Sequence, residues 1–263
     1  MTGGSLLKRL RSWRHGFWFG VSRRIRWSRG IYREKPAGEL HLEPESARRV
    51  AALQSRYQVH FEQHLGRRSS TINYEYLDLL DRTWEQCGGS RPQGGIVCDV
   101  GCASFWYAAA LHAFFRPQRL IGVEVEGHRL FRDGRARIDY AAGYVAELSN
   151  TQFVVADYAA VELPADIITA WFPFVTQHAI LAWRLPLSLL KPDQLFSRIQ
   201  HNLANEGLFV MINHGPDEAL VAAECCAAAG LVCGGQFVAA SPLSRYRAVA
   251  PMVSWWRRGR GVG

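Results

Sequence analysis

The sequence predicts an α/β protein: a doubly wound sheet of seven strands, mostly parallel, closed by an antiparallel C-terminal hairpin and preceded by helices. Three observations carry that expectation. From Gly94 onward short apolar runs alternate with helical patterns, which implies parallel strands with helices on both faces. The last two strand-like runs are joined by a short link, Ser241-Pro242-Leu243-Ser244, so they must pair antiparallel. Three strand-like runs in succession end in acidic residues, Asp99, Glu124 and Asp157, at the carboxyl edge where open α/β sheets take their ligands.

The chain begins differently. Of its 263 residues 48% are apolar and 21% charged, enough for a full hydrophobic core without disulfides or metals. The net charge of +8 is confined to the start: residues 1–40 hold ten basic and two acidic side chains, and the remainder holds 21 of each. A basic arm on a neutral body gives only weak support to a nucleic-acid-binding domain, which carries its charge on the folded face. Within residues 1–35, Leu6, Leu10, Trp13, Phe17 and Val21 recur at helical spacing, with Lys8, Arg9, Arg11 and Arg14 on other faces. Two readings stay open. One is a basic amphipathic helix lying on an anionic membrane surface or an acidic partner; the other is an arm docked on its own domain.

Lys35-Pro36-Ala37-Gly38 breaks this pattern, and residues 36–90 read as a helical cap. One helix is expected over residues 43–63 and a second over 71–87, stopped by Gly88-Gly89. The main domain, 91–258, leaves only a tail at 259–263. Strands are expected at 96–100, 119–123, 152–156, 166–171, 208–212, 231–239 and 246–255. Helices are expected at 104–115, 129–148, 176–183, 193–203 and 218–229. The closing hairpin separates this pattern from a dinucleotide-binding fold, whose sixth strand follows another crossover helix.

Six cysteines are present without a CxxC pair, and adjacent Cys225 and Cys226 in an alanine-rich helix read as small core residues. No apolar run approaches ~18 residues and no signal-peptide pattern opens the chain. Reduced thiols and a cytoplasmic location are the expectation, with peripheral contact of the arm with a membrane as the open alternative. No His, Cys or acidic cluster has metal-ligand spacing.

Cys98-Asp99-Val100-Gly101-Cys102-Ala103-Ser104 resembles motif I of the class I S-adenosylmethionine-dependent methyltransferases, an acidic residue followed by a glycine-rich turn. Ile121-Gly122-Val123-Glu124 is similar to that family's second-strand motif, and Phe153-Val154-Val155-Ala156-Asp157-Tyr158 to its third. The resemblance implies a Rossmann-like fold, S-adenosylmethionine as cofactor, and Asp99, Gly101, Cys102, Ala103, Glu124, Asp157 and Tyr158 as its contacts. Glu124 would accept both ribose hydroxyls, Gly101 would let the backbone approach the methionine part, and Asp157 with Tyr158 would flank adenine. Plainer roles stay open beside these: a turn glycine, a surface acid, a helix cap. Glu126 competes with Glu124, which follows its strand directly. The chain departs from the family where further glycines are usual, carrying Ala103 and then Phe105-Trp106. It also lacks GxGxxG, which removes the main support for a nicotinamide cofactor.

Trp171-Phe172-Pro173-Phe174 stands where amine methyltransferases carry Asn/Asp-Pro-Pro-aromatic, and only Pro173 and Phe174 match. These four residues are the expected substrate contacts, an apolar lip that does not favour nitrogen over oxygen or carbon acceptors; core packing is the alternative. His214, in Asn213-His214-Gly215, is the candidate base for a hydroxyl acceptor, and His178 is a second. The resemblance thus implies methyl transfer to an unidentified acceptor, partly apolar or planar. The alternative is a non-catalytic binding or assembly module of the same fold, acting through its basic arm.

Overall fold

The computed structural model describes residues 3–87, 91–244 and 249–259. Helices come first: α1 (Gly3–Ile25), α2 (Pro44–Tyr57) and α3 (Arg67–Cys87). Then follow β1 (Ile96–Val100), α4 (Ala108–Phe115), β2 (Arg119–Glu124), α5 (Arg137–Val145), β3 (Thr151–Val155) and β4 (Ala165–Trp171). The chain continues through α6 (Gln177–Ala182), α7 (Pro192–Asn202), β5 (Leu203–Asn213), α8 (Gly215–Ala228), β6 (Leu231–Val238) and β7 (Met252–Arg258).

The seven strands make one sheet in the order β3-β2-β1-β4-β5-β7-β6. Pairs from β3 across to β5 are parallel, and β7 pairs antiparallel with both β5 and β6. The order reverses between β1 and β4, and ligands of open α/β sheets settle at such a switch point. Apolar residues alternate across the sheet into two cores. Leu208, Val210 and Ile212 of β5 join α2, α3 and α4 on one face, whereas Phe209 and Met211 join α7 and α8 on the other. Burial on both faces explains why these strands read as continuous apolar runs.

Several predicted bounds move, each for a local reason. The helix expected from residue 104 starts at Ala108, because Ala103 (φ 51°) and Phe105 (φ 55°) take left-handed backbone in the loop before it. The helix expected from 129 to 148 is only Arg137–Val145. Gly134 at φ 75° turns the preceding segment back on itself, and Leu130 bridges Ala136. Asp139 then caps the new start by accepting the Ala136 N–H. The first cap helix stops at Tyr57, where Gln58 turns left-handed. The two last strands pair as expected, but the link is longer, from Val238 to Met252. The expected strand start at Tyr246, the stop at Gly88-Gly89 and most of the tail lie outside the described residues.

Helix α1 docks through one face. The Leu187 N–H donates to Ser12 Oγ at 2.9 Å, Arg11 donates to the Leu181 carbonyl at 3.4 Å, and Phe19 packs on the cluster around Ile180, Leu181 and Leu185. The face picked out by periodicity is not the docked one. Leu6, Leu10, Trp13 and Phe17 point outward, each between 55% and 73% exposed. After α1 the chain is tied down by Ser28 and the Arg29 N–H on Asp139, and by Glu34 on Gly66, Ser69 and Tyr144.

Candidate ligand site at the strand ends

A cavity of about 250 Å³ opens at the carboxyl ends of β1 to β5, just under the ~300 Å³ at which ligand pockets commonly begin. Gly101, Glu124 and Asp157, from three successive strand ends, share its wall with Ala103, Tyr158 and His214. Gly101 has φ 71°, and a Cβ built on it would meet no atom within 4 Å. The glycine is required by its backbone and leaves the floor of the cavity open.

Glu124 is 5% exposed and heavily engaged. Its carboxylate accepts the Ala103 N–H at 2.9 Å and the Glu126 N–H at 2.8 Å, and stands 3.2 Å from the Arg137 guanidinium. Three of roughly four lone-pair sites are therefore taken. Arg137, itself 3% exposed, also reaches Glu126 at 3.2 Å and lines the cavity. Glu126 faces away from the cavity toward the groove beside α1, and burial raises its pKa against the pull of Arg137 and Arg129. Asp157 both caps a short 3-10 turn, accepting the Ala159 N–H at 3.1 Å, and lines the cavity. Tyr158 is buried against Cys98 and Val100, with part of its surface on the cavity.

Two of the expected contacts are not on this wall. Asp99 is completely buried and accepts hydrogen bonds from Tyr107 Oη, at 2.7 Å, and from Thr169 Oγ1 on the neighbouring strand. Burial pushes its pKa up to about 7 against those two hydrogen bonds, with the nearby Glu124 charge adding to the rise. Asp99 thus holds the base of the loop and the strand pair together. Cys102 is also fully buried and turns under the sheet, where its Sγ would lie 2.9 Å from a Cβ at Gly122. A strand-edge motif names residues in register but does not say which way each one points: Asp99 lies within β1 and turns toward Thr169 on β4, and Cys102 is turned into the core by the left-handed bend at Gly101.

The other half of the cavity is aromatic. Tyr76 and Tyr107 stack on each other at 4.3 Å, and Trp171 packs at a tilt against both, at 4.1 Å and 5.6 Å; its indole N–H has no hydrogen-bond partner among the described residues. Phe172 lies flat on the His214 imidazole at 4.0 Å, and Pro173 and Phe174 continue the wall. His178 is on the exposed side of α6, away from the cavity. Arg137, Tyr76, Trp106 and Trp183 were missed in sequence. Tyr76 sits on a helix that precedes the sheet, and Arg137 was hidden inside a helix drawn eight residues too long at its start. A single arginine among many carries no pattern to find it by.

No family profile matches the sequence, and no curated protein matches it either. Solved structures do match in shape. A methyltransferase from Aquifex aeolicus that depends on S-adenosylmethionine aligns at TM-score 0.50 and 14% identity, over 68% of this chain and 90% of that one. A candidate RNA methyltransferase from Pyrococcus horikoshii aligns at TM-score 0.50 and 14% identity, over 84% of this chain and 100% of that one. The sheet order, the closing hairpin and these alignments together give the chain the Rossmann-like fold of the class I methyltransferases.

Proposed function

We propose that this protein is an S-adenosylmethionine-dependent methyltransferase acting on an acceptor with an apolar, planar part. One observation carries the reading: three consecutive strand ends bring Gly101, Glu124 and Asp157 to a single cavity, beside an aromatic half suited to a flat partner. The residues present fit the cofactor. Gly101 leaves room for close backbone approach, Glu124 retains acceptor capacity for a ribose hydroxyl, and Asp157 keeps one carboxylate oxygen for an amino group. When bound, the sulfonium supplies an electrophilic methyl group, so alignment of donor and acceptor accounts for most of the acceleration. Trp171, Phe172 and Phe174 hold the acceptor and exclude water, and His214 takes the proton of an acceptor hydroxyl.

Titration calorimetry with S-adenosylhomocysteine and with NAD tests this directly. Binding of the first and none of the second is expected; silence for both favours a non-catalytic module. Glu124→Gln keeps the size of the side chain, removes its charge, and should weaken homocysteine-form binding by about tenfold or more, since hydrogen bonds to a charged group contribute ~1.5–3 kcal/mol. Unchanged affinity removes Glu124 from the site.

A further inference from the structure

Large exposed apolar side chains are not scattered over this molecule. Among the described residues nine of the sixteen fall between Leu6 and Ile31. On α1 they form one stripe, because at 3.6 residues per turn Leu6, Leu10, Trp13 and Phe17 share a face, with Leu7, Trp18 and Ile25 on its flank. That face stands away from the docked face of Ser12, His15 and Phe19. No described helix is long and apolar enough to cross a membrane.

The stripe runs into a groove of about 530 Å³ between α1 and the segment 126–130. Its apolar lining includes Trp18, Val21, Ile25 and Leu130, and its cations are Arg14, Arg129 and Arg184. Arg14 and Arg184 form no ion pair among the described residues. Two imidazoles also line the groove. His15 is 5% exposed and its Nε2 has no partner among the described residues, and neither has Nδ1 of His128. Burial, and then the charges of Arg14, Arg11, Arg184 and Arg129, lower the pKa of His15. The one carboxylate on the groove, Glu126, is already paired with Arg129 and Arg137, which leaves Arg14 and Arg184 without an anion among the described residues.

We infer that α1 and this groove dock on an anionic phospholipid bilayer, the headgroup phosphate seated among Arg14, Arg184 and the two histidines and the acyl chains against Trp18, Ile25 and the outer stripe. Charge complementarity selects this occupant. Positive charge exceeds negative only in the arm, and tryptophan and arginine at the edge of an apolar stripe match the interfacial layer of a membrane. The docked helix also bears on the cavity, since Phe19 on its inner face shares a cluster with Phe174, Leu185 and Leu189, which line that cavity. The inference does not rest on methyl transfer.

Vesicle flotation of the full chain tests it, with phosphatidylcholine alone and with phosphatidylcholine containing phosphatidylglycerol. The protein should float with the anionic vesicles only, and detach as salt is raised. Arg14→Gln with Arg184→Gln should weaken binding by about fivefold per charge removed. Trp13→Ser with Trp18→Ser should weaken it at least about tenfold, through lost apolar burial. Circular dichroism and S-adenosylhomocysteine binding should stay unchanged in both, which keeps this test separate from that of the ligand site. Absence of flotation, equal binding to both vesicles, or full binding by both double variants would overturn the inference. So would tight binding of inorganic phosphate with no gain from acyl chains, or a dimer in sedimentation that Trp13→Ser with Trp18→Ser dissolves.

Discussion

Gly101→Ala separates a structural glycine from one that faces a ligand. The added methyl group meets no protein atom within 4 Å, so packing of the free protein is not disturbed. What remains is the backbone: φ is 71°, and an L side chain in the left-handed region costs roughly 1–2 kcal/mol. For a domain of this size 1 kcal/mol shifts Tm by ~2–4 °C, so a fall of roughly 2–8 °C is expected. Gly101 lines the cavity, and a methyl group in the open space beside it would take room that the proposed ligand needs. A contact displaced there should reduce S-adenosylhomocysteine affinity by about tenfold or more, in excess of anything the small stability change explains. Gly122→Ala is the counterpart. Its Cβ would stand 2.6 Å from Phe105 Cε1 and 2.9 Å from Cys102 Sγ, an overpacking that costs ~1–3 kcal/mol while lying outside the cavity. Calorimetry and thermal unfolding on the two variants give the comparison. If Gly101→Ala loses stability as expected yet binds as tightly as the unaltered protein, Gly101 does not face the ligand and the assignment of this cavity is wrong.

Other outcomes follow from the buried charges. Asp99 has its pKa raised from 3.8 to about 7, so between those values the unfolded chain is ionised while the native one stays protonated. Stability due to this group is therefore full below pH ~4 and is lost as pH rises toward ~7, at up to about 1.4 kcal/mol per pH unit. Asp99→Asn should flatten that part of the profile, and urea unfolding at several pH values checks it; parallel profiles would refute the assignment. Arg137→Met leaves Glu124 and Glu126 buried without their shared cation and should destabilise by ~3–5 kcal/mol; a Tm within 2–3 °C of the unaltered protein, where ~1 kcal/mol belongs, would show that the pair matters little.

The middle of the sheet was legible because β1, β2, β4 and most of β5 are buried on both faces, and acids at 99, 124 and 157 mark the ends of the first three runs. The observed strands 96–100 and 119–124 lie within one residue of those expected. Helices were less legible wherever a backbone turn hides inside a helix-compatible sequence. Ser104 to Tyr107 and Leu130 to Ala136 contain no proline, and only the left-handed angles at Phe105 and Gly134 interrupt them. In the site, sequence reached the residues at strand ends but could not choose between the two sides of β1, nor see Arg137 and Tyr76 arrive from other elements. At α1 the periodic stripe was plain, but periodicity alone does not say whether an apolar face packs inward. Here the face that docks carries Ser12, His15 and Phe19, and the apolar stripe of Leu6, Leu10, Trp13 and Phe17 is left to solvent.

Phe105 explains how the loop after β1 holds together without the glycines usual at that point. Its φ of 55° costs roughly 1–2 kcal/mol for an L residue, so Phe105→Gly looks at first like a repair. The ring, however, is fully buried, and its edge fills the space over Gly122 that a side chain there would otherwise claim. The glycine has in effect moved from the loop to the facing strand, and the two positions are coupled. Removing the ring opens a cavity of the kind that makes Phe→Ala changes cost ~3–5 kcal/mol, more than the relieved backbone returns. Phe105→Gly should therefore lower stability by about 2–3 kcal/mol in urea unfolding. Phe105→Gly combined with Gly122→Ala should recover part of the loss, because the methyl group then enters the vacated space without the 2.6 Å clash. Additive effects of the two changes would show that the ring and the strand glycine are independent, and that the left-handed loop is held by Glu124 on the Ala103 N–H alone.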